Sequence, residues 1–85
     1  MKRNTDLIKE ILLYAEEHCD GKDEHGVRLK LSDLPEKYRD IDETELREHI
    51  GLALEENLID ATTGTNPFTL YRLTWKGHDY LDRVR

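Results

Sequence analysis

Residues 42–73 read DETELREHIGLALEENLIDATTGTNPFTLYRL and have the pattern of a capped helix followed by a hairpin. Asp42 precedes the first apolar position, and Glu45 stands three residues later, which is the pattern of a capping box at a helix start. Apolar residues then recur at helical spacing, so a helix is predicted from Asp42 to about Asn57. Its predicted inward face consists of Leu46, Ile50, Ala53 and Leu54, with His49 as a candidate fifth member.

A hairpin is predicted directly after this helix. Leu58 and Ile59 are apolar, the following TTGTNP has the composition of a turn, and Phe68 to Leu73 alternates as a returning strand does. Asn57 is a residue type that tolerates a left-handed backbone at a helix end, so it fits the point where the helix stops.

The segments before residue 42 complete a small sheet. A first helix is predicted from Thr5 to His18, capped by Asn4 or Thr5, with one apolar stripe formed by Ile8, Ile11, Leu12, Ala15 and Cys19. Val27, Leu29 and Leu31 then alternate with basic residues, as in a half-buried strand. Ser32 is expected to cap a short helix that runs through Tyr38.

After the hairpin, Thr74 is predicted to cap a final helix, in which Trp75 and Tyr80 close the bottom of the core. The complete order predicts one α+β domain over residues 1–85. This domain is a winged helix-turn-helix, with three to four helices on a small antiparallel sheet and a β-hairpin as the wing.

Both ends of the chain carry a sequence signature. The N-terminal MKRNTDLIKEILLYAEEH and the C-terminal LYRLTWKGHDYLDRVR, with REHIGLALEENLID between them, resemble an uncharacterised family of short bacterial and bacteriophage proteins. The resemblance covers nearly the whole chain; it implies a winged-helix-like fold and a frequent occurrence in prophages. It implies no activity, because the function of that family is unknown.

Composition excludes several classes of function. No stretch approaches the ~18 apolar residues of a membrane span, and the N-terminus lacks the apolar run of a signal peptide. The single cysteine, Cys19, cannot form an internal disulfide and fits a reducing cytoplasm, where we expect the protein to act. In phase with the first helix's stripe, it is expected to be a small buried hydrophobe.

The sequence shows no chemistry-bearing motif. His18, Cys19 and His25 lie near one another but lack the spacing of metal ligands, so neither a metal nor a cofactor is expected. No nucleophile motif or phosphate loop is visible, and we expect no enzymatic activity. His78 and Asp79 are adjacent on the final helix and therefore point to different faces of it.

The charge distribution conflicts with the fold. Nine acidic and three basic residues lie between Ser32 and Asn57, giving −6, which is the net charge of the whole chain. The predicted recognition helix therefore carries carboxylates where a DNA reader needs cations. The wing, Ala61 to Leu70, contains no basic residue at all.

Two functions follow from this conflict, and a third possibility is an adaptor or dimerisation role through apolar residues of the first and last helices, namely Leu13, Tyr14 and Val84. The favoured one is recognition of a basic protein surface, for example on a host nucleic-acid-binding protein, through Glu43, Glu45, Glu48, Glu55 and Glu56. The alternative is a DNA-binding regulator, in which a homodimer presents the basic residues Arg47, Lys37, Arg39, Lys2 and Arg3. No membrane partner is expected of a net acidic chain.

Overall fold

The computed structural model describes residues 4–19, 26–62, 64 and 68–85. Among these residues the chain forms three α-helices and three strands, with two short 3-10 turns between the first strand and the second helix. Their bounds are α1 Thr5–His18, β1 Val27–Leu29, α2 Glu43–Glu55, β2 Ile59–Thr62, β3 Phe68–Leu73 and α3 Trp75–Val84. The expected α+β class with a small antiparallel sheet is confirmed, and three α-helices are present among the described residues.

The strands form one antiparallel sheet in the order β1-β3-β2, with β3 in the centre. Val27 lies opposite Leu70 on one side of β3, and Ile59 lies opposite Leu73 on the other. The predicted alternation breaks within β3 because the register with β2 shifts between Asp60 and Ala61. This irregularity lets Leu70 and Leu73 both be buried although they are three residues apart.

The helices bury the faces that periodicity assigns to them. Asn4 caps α1 by accepting hydrogen bonds from Asp6 and Leu7, and Asp42 caps α2 by accepting one from Glu45. The core joins the stripe of α1, the inner face of α2 and the inward side chains of the sheet, including Leu7, Ile11, Leu46, Ile50, Phe68, Leu70 and Leu81. Cys19 is buried there as expected, with its thiol 3.5 Å from the carbonyl oxygen of Leu70.

The prediction of one short helix from Ser32 to Tyr38 is wrong. Two 3-10 turns, Leu31–Asp33 and Glu36–Tyr38, replace it, and Ser32 lies inside the first turn instead of capping a helix. Leu34 between them is extended, with φ −83° and ψ 158°. The cause is Pro35, whose ring disfavours the helical conformation of the residue before it.

The junction between α2 and α3 depends on close backbone contacts. Asn57 has φ +59°, which confirms the left-handed helix end expected from its residue type. Thr74 caps α3 by accepting from Gly77 N–H at 3.0 Å, and its hydroxyl donates to the carbonyl oxygen of Asn57. Gly77 is buried against Leu58, where a Cβ atom would overlap the Leu58 carbonyl oxygen.

The position of Trp75 contradicts the expectation that it closes the core. Its side chain is 86% exposed, whereas Gly77 and Leu81 form the buried face of α3. Gly77 and Leu81 are four residues apart and share a face, and Trp75 lies on a different one. Tyr80 is half-buried and packs against the core.

Candidate protein-interaction surface

The five acidic residues proposed for protein binding lie on different sides of α2. Glu48 and Glu55 are both exposed and are seven residues apart, so they lie on one line along the outward face. Glu43 is exposed near the start of the helix, beside a groove that Lys30 and Phe68 also line. Glu45 is half-buried on the side towards α1, and Glu56 is exposed just beyond the helix end.

Glu48 and Glu55 form an outward line, called the acidic line below, which is unpaired in the part of the chain that the structure describes. Neither carboxylate forms an ion pair with any residue that the structure describes. Between them, Gly51 leaves open space, because a Cβ atom there would meet nothing within 4 Å. The line is therefore a flat, negatively charged strip.

The only basic residue of α2 is engaged elsewhere. The guanidinium of Arg47 lies over the Phe68 ring, 5.6 Å from its centroid. This is the geometry of a cation–π contact, and it directs the charge towards β3. From Asp42 to Glu56 there are six acidic residues and this one base, so the helix with its caps carries a net charge of −5.

The basic residues of the DNA-binding alternative also have contacts within the chain. Lys37 lies over the Tyr38 ring at 5.1 Å, and Arg39 donates to the backbone oxygen of Ser32 at 3.4 Å. Both are exposed on the turn that precedes α2. Lys2 and Arg3 lie outside the described residues.

The hairpin adds no compensating positive charge. Arg72, the basic residue of β3, pairs with Asp60 directly across the sheet. The tip of the hairpin, residues 63–67, is described only at Gly64, but its sequence contains no basic residue.

His49 fixes α2 against α1. The ring is fully buried; its Nδ1 lies 2.7 Å from the carbonyl oxygen of Glu45, and its Nε2 lies 3.0 Å from the backbone nitrogen of Asn4. The Asn4 N–H must donate, so Nε2 is the acceptor and Nδ1 carries the proton that is donated to Glu45. The candidate inward position of His49 is confirmed, and the ring holds the acidic helix in place.

The described parts of the chain contain neither a metal-binding group of side chains nor a helix able to span a membrane. There, no group of three or more His, Cys, Asp or Glu side chains could hold a metal ion, and His25, one of the weighed candidates, lies outside those parts. Over the same residues, no helix combines the length and apolar character needed to cross a bilayer.

The exposed position of Trp75 was not predicted from the sequence. Trp75 is exposed beside a shallow groove whose lining includes Asp79 and Asp82. The sequence does contain a signal for this position. Gly77 and Leu81 are four residues apart on a helix capped by Thr74, so they share one face of the helix, and Trp75 lies on another face.

These features define a small α+β domain with an exposed acidic helix. The family described as "Hypothetical protein (DUF2513)" matches residues 2–85, and the chain belongs to this family. It is 34% identical over 89 aligned residues to an uncharacterized protein of Haemophilus influenzae, with all of this chain and 69% of that protein covered. No solved structure matches the chain.

Proposed function

We propose that the chain is a small, non-enzymatic winged-helix module of phage or prophage type that binds a basic surface of a partner protein through α2. The favoured partner is a host nucleic-acid-binding protein, whose DNA or RNA site the acidic line occupies. Such a module acts as a mimic of nucleic acid and inhibits its target by exclusion. Cytoplasmic location is part of this proposal.

The order of elements supports the winged-helix assignment. In this assignment α2 is the recognition helix, and the β2–β3 hairpin is the wing. The two 3-10 turns at Leu31–Asp33 and Glu36–Tyr38 stand in place of the preceding helix. The departure is local, because α2 still follows the turns and precedes the hairpin.

The observation that carries the binding proposal is the acidic line itself. Glu48 and Glu55 are exposed and without ion pairs among the described residues, and Arg47 is held over Phe68. DNA binding gains most of its non-specific affinity from cations that neutralise phosphates. At this helix carboxylates would face the phosphates, and the interaction would be repulsive.

The same charges favour a basic protein surface. A surface that binds phosphates presents lysine and arginine side chains, and these pair equally with carboxylates. Glu48 and Glu55 lie about 10 Å apart along the helix axis at 1.5 Å per residue, so they can engage two separate cations. Charge complementarity of this kind speeds association and makes it sensitive to salt.

The second candidate function is a DNA-binding regulator that acts as a homodimer. The element order and the exposed positions of Lys37, Arg39 and Arg47 around the start of α2 support it. Fold alone is weak evidence for function, so this candidate requires a dimer that presents these basic residues away from the acidic line.

The test of the protein-binding proposal is capture from bacterial lysate followed by displacement. The immobilised chain should retain a nucleic-acid-binding protein, identified by mass spectrometry, and short duplex DNA should displace it. The double variant Glu48→Gln/Glu55→Gln should lose the captured protein. The control Glu10→Gln/Glu17→Gln removes two charges from α1 and should retain it.

Two results would overturn the proposal. One is equal capture by both double variants, because the acidic line would then be irrelevant. The other is tight binding of the chain to labelled duplex DNA at ~50 mM salt, where electrostatic contacts are strongest. The second result would favour the dimeric regulator, provided that Arg47→Gln or Lys37→Gln weakened the binding.

A further inference from the structure

The only tryptophan in the sequence is exposed to solvent on the first turn of α3. Trp75 is 86% exposed, although large aromatic side chains supply much of the energy of protein cores. Exposed tryptophan is enriched among the residues that dominate the energy of protein interfaces. The backbone beside it is held in place, because the hydroxyl of Thr74, the residue before Trp75, donates to the Asn57 carbonyl oxygen just beyond the end of α2.

The groove beside Trp75 has an unmatched negative charge. Among its lining residues, Arg72 pairs with Asp60 on the neighbouring strand, and His78 faces Glu16 at 3.9 Å. Asp79 has no ion pair or hydrogen bond with any residue that the structure describes. The one arginine of the groove is thus already paired, and the Asp79 carboxylate has no cationic partner among the described residues.

Asp82, also in the groove, is only weakly compensated. Its nearest cation is Arg85, whose guanidinium lies 3.8 Å from Asp82 but forms a closer pair with Glu16. The two aspartates are three residues apart, so their side chains are neighbours on the surface of α3.

We infer that this groove binds an arginine side chain of a partner protein, stacked on the Trp75 indole and hydrogen-bonded to Asp79. Trp75 and Asp79 are four residues apart on α3, a spacing that places their Cβ atoms about 5–6 Å from each other. One planar guanidinium can therefore lie on the ring and reach the carboxylate. Asp82 receives the next cation of the same segment.

Charge and shape select this occupant. The face of an indole ring is electron-rich and attracts cations, and a carboxylate at its edge adds a charge-assisted hydrogen bond. Arginine is favoured over lysine because its flat guanidinium both stacks and donates two parallel hydrogen bonds. A second copy of this chain is disfavoured, since a symmetric contact would bring Asp79 and Asp82 of both copies together.

This inference does not depend on the proposed role of the acidic line. The groove lies on α3, and its test uses a defined peptide instead of the unidentified partner. Substitutions at Glu48 and Glu55 leave the groove intact, so the two proposals can fail separately.

The experiment is a titration of the full chain with capped hexa-arginine at about 50 mM salt, followed by Trp75 fluorescence and by calorimetry. The fluorescence should change on binding, and hexa-lysine should bind at least about threefold more weakly. Asp79→Asn should raise the Kd at least about threefold relative to Asp40→Asn, which removes one exposed charge elsewhere. Trp75→Ala, followed by calorimetry, should weaken binding by a similar factor.

Equal Kd values for the Asp79→Asn and Asp40→Asn variants would overturn the inference, because binding would then follow net charge alone. Equal affinity for hexa-arginine and hexa-lysine would overturn the stacked geometry. Sedimentation of the chain without peptide tests self-association, and a dimer that Trp75→Ala dissociates would assign the groove to a second copy. All of these variants alter exposed side chains, and circular dichroism verifies that they fold.

Discussion

The Nε2 atom of His49, on α2, accepts a hydrogen bond of 3.0 Å from the backbone N–H of Asn4, the residue that caps α1. The same ring donates from Nδ1 to the Glu45 carbonyl oxygen at 2.7 Å. One buried imidazole therefore satisfies polar backbone groups on two helices. Because α2 carries the acidic line, this contact links the acidic helix to the start of α1.

Substitution of this histidine by leucine should be costly. His49→Leu keeps the bulk but leaves the Asn4 N–H without this acceptor, and the expected loss in free energy of unfolding is about 1–3 kcal/mol. Urea unfolding measures it. His78→Gln, at a half-exposed position of α3, is the control and should change the stability little. Equal losses in the two variants would contradict the role given to the contact.

The two helical glycines should respond to alanine in opposite directions. Gly77→Ala places a Cβ atom against the Leu58 carbonyl oxygen, which is backbone and cannot move aside, so we expect a loss of about 1–3 kcal/mol. Gly51→Ala meets open space within α2 and should stabilise by about 0.5–1 kcal/mol. Thermal unfolding of both variants checks the difference in sign.

The Thr74 hydroxyl should matter more than that of an exposed helix threonine. Thr74→Ala removes the cap on Gly77 N–H and the bond to the Asn57 carbonyl oxygen, and the expected cost is about 1–2 kcal/mol. Thr44→Ala, on the exposed face of α2, is the matched control and should stay within about 0.5 kcal/mol of the parent chain. A comparison of urea midpoints separates the two.

Stability should fall at alkaline pH because Tyr38 is buried. Burial raises the pKa of Tyr38 above its usual value of about 10, because the charged phenolate is poorly solvated there. The folded state therefore favours the neutral form, and this stability is complete below pH about 10 and is lost as the pH rises through the folded pKa. Unfolding curves at pH 7 and pH 11 should show the loss, and Tyr38→Phe should reduce it.

Tyr14 and Tyr38 should respond differently at neutral pH to the loss of their hydroxyl groups. Its pKa is also raised, first by burial and then by the nearby Asp33, but its hydroxyl donates to the Arg28 carbonyl oxygen at 2.9 Å. The Tyr38 hydroxyl is buried with no hydrogen-bond partner among the described residues. Tyr14→Phe should therefore cost about 0.5–1.5 kcal/mol at pH 7, whereas Tyr38→Phe should be neutral or stabilising.

Removal of the acidic line should leave the fold intact. Glu48→Gln/Glu55→Gln changes exposed carboxylates without ion pairs among the described residues, so the free energy of unfolding should change by less than about 0.5 kcal/mol. Urea unfolding tests this, with Glu10→Gln/Glu17→Gln as the control. A large loss would mean that any effect on partner capture reflects stability.

Local sequence determined the elements whose signals lie within a few residues. The apolar stripe from Ile8 to Cys19 and the cap at Asn4 predicted α1, Asn57 marked the end of α2, and Thr74 marked the start of α3. Each depends on a periodicity or a cap, and such signals act over one or two helical turns. The clustering of acid on α2 was also visible, because charge is counted directly from the residues.

Tertiary structure decided what depends on contacts between distant segments. Leu70 and Leu73 share the core because of a register shift against β2, which alternation within one strand does not specify. Trp75 lies outside because the close approach of Gly77 to Leu58 fixes the rotation of α3 about its own axis. Arg47 is directed onto Phe68, twenty-one residues away, so the one arginine of α2 does not neutralise the acidic line. Sequence established that the helix is acidic, but packing decided which of its charges face outward, because burial depends on which neighbours each side chain meets.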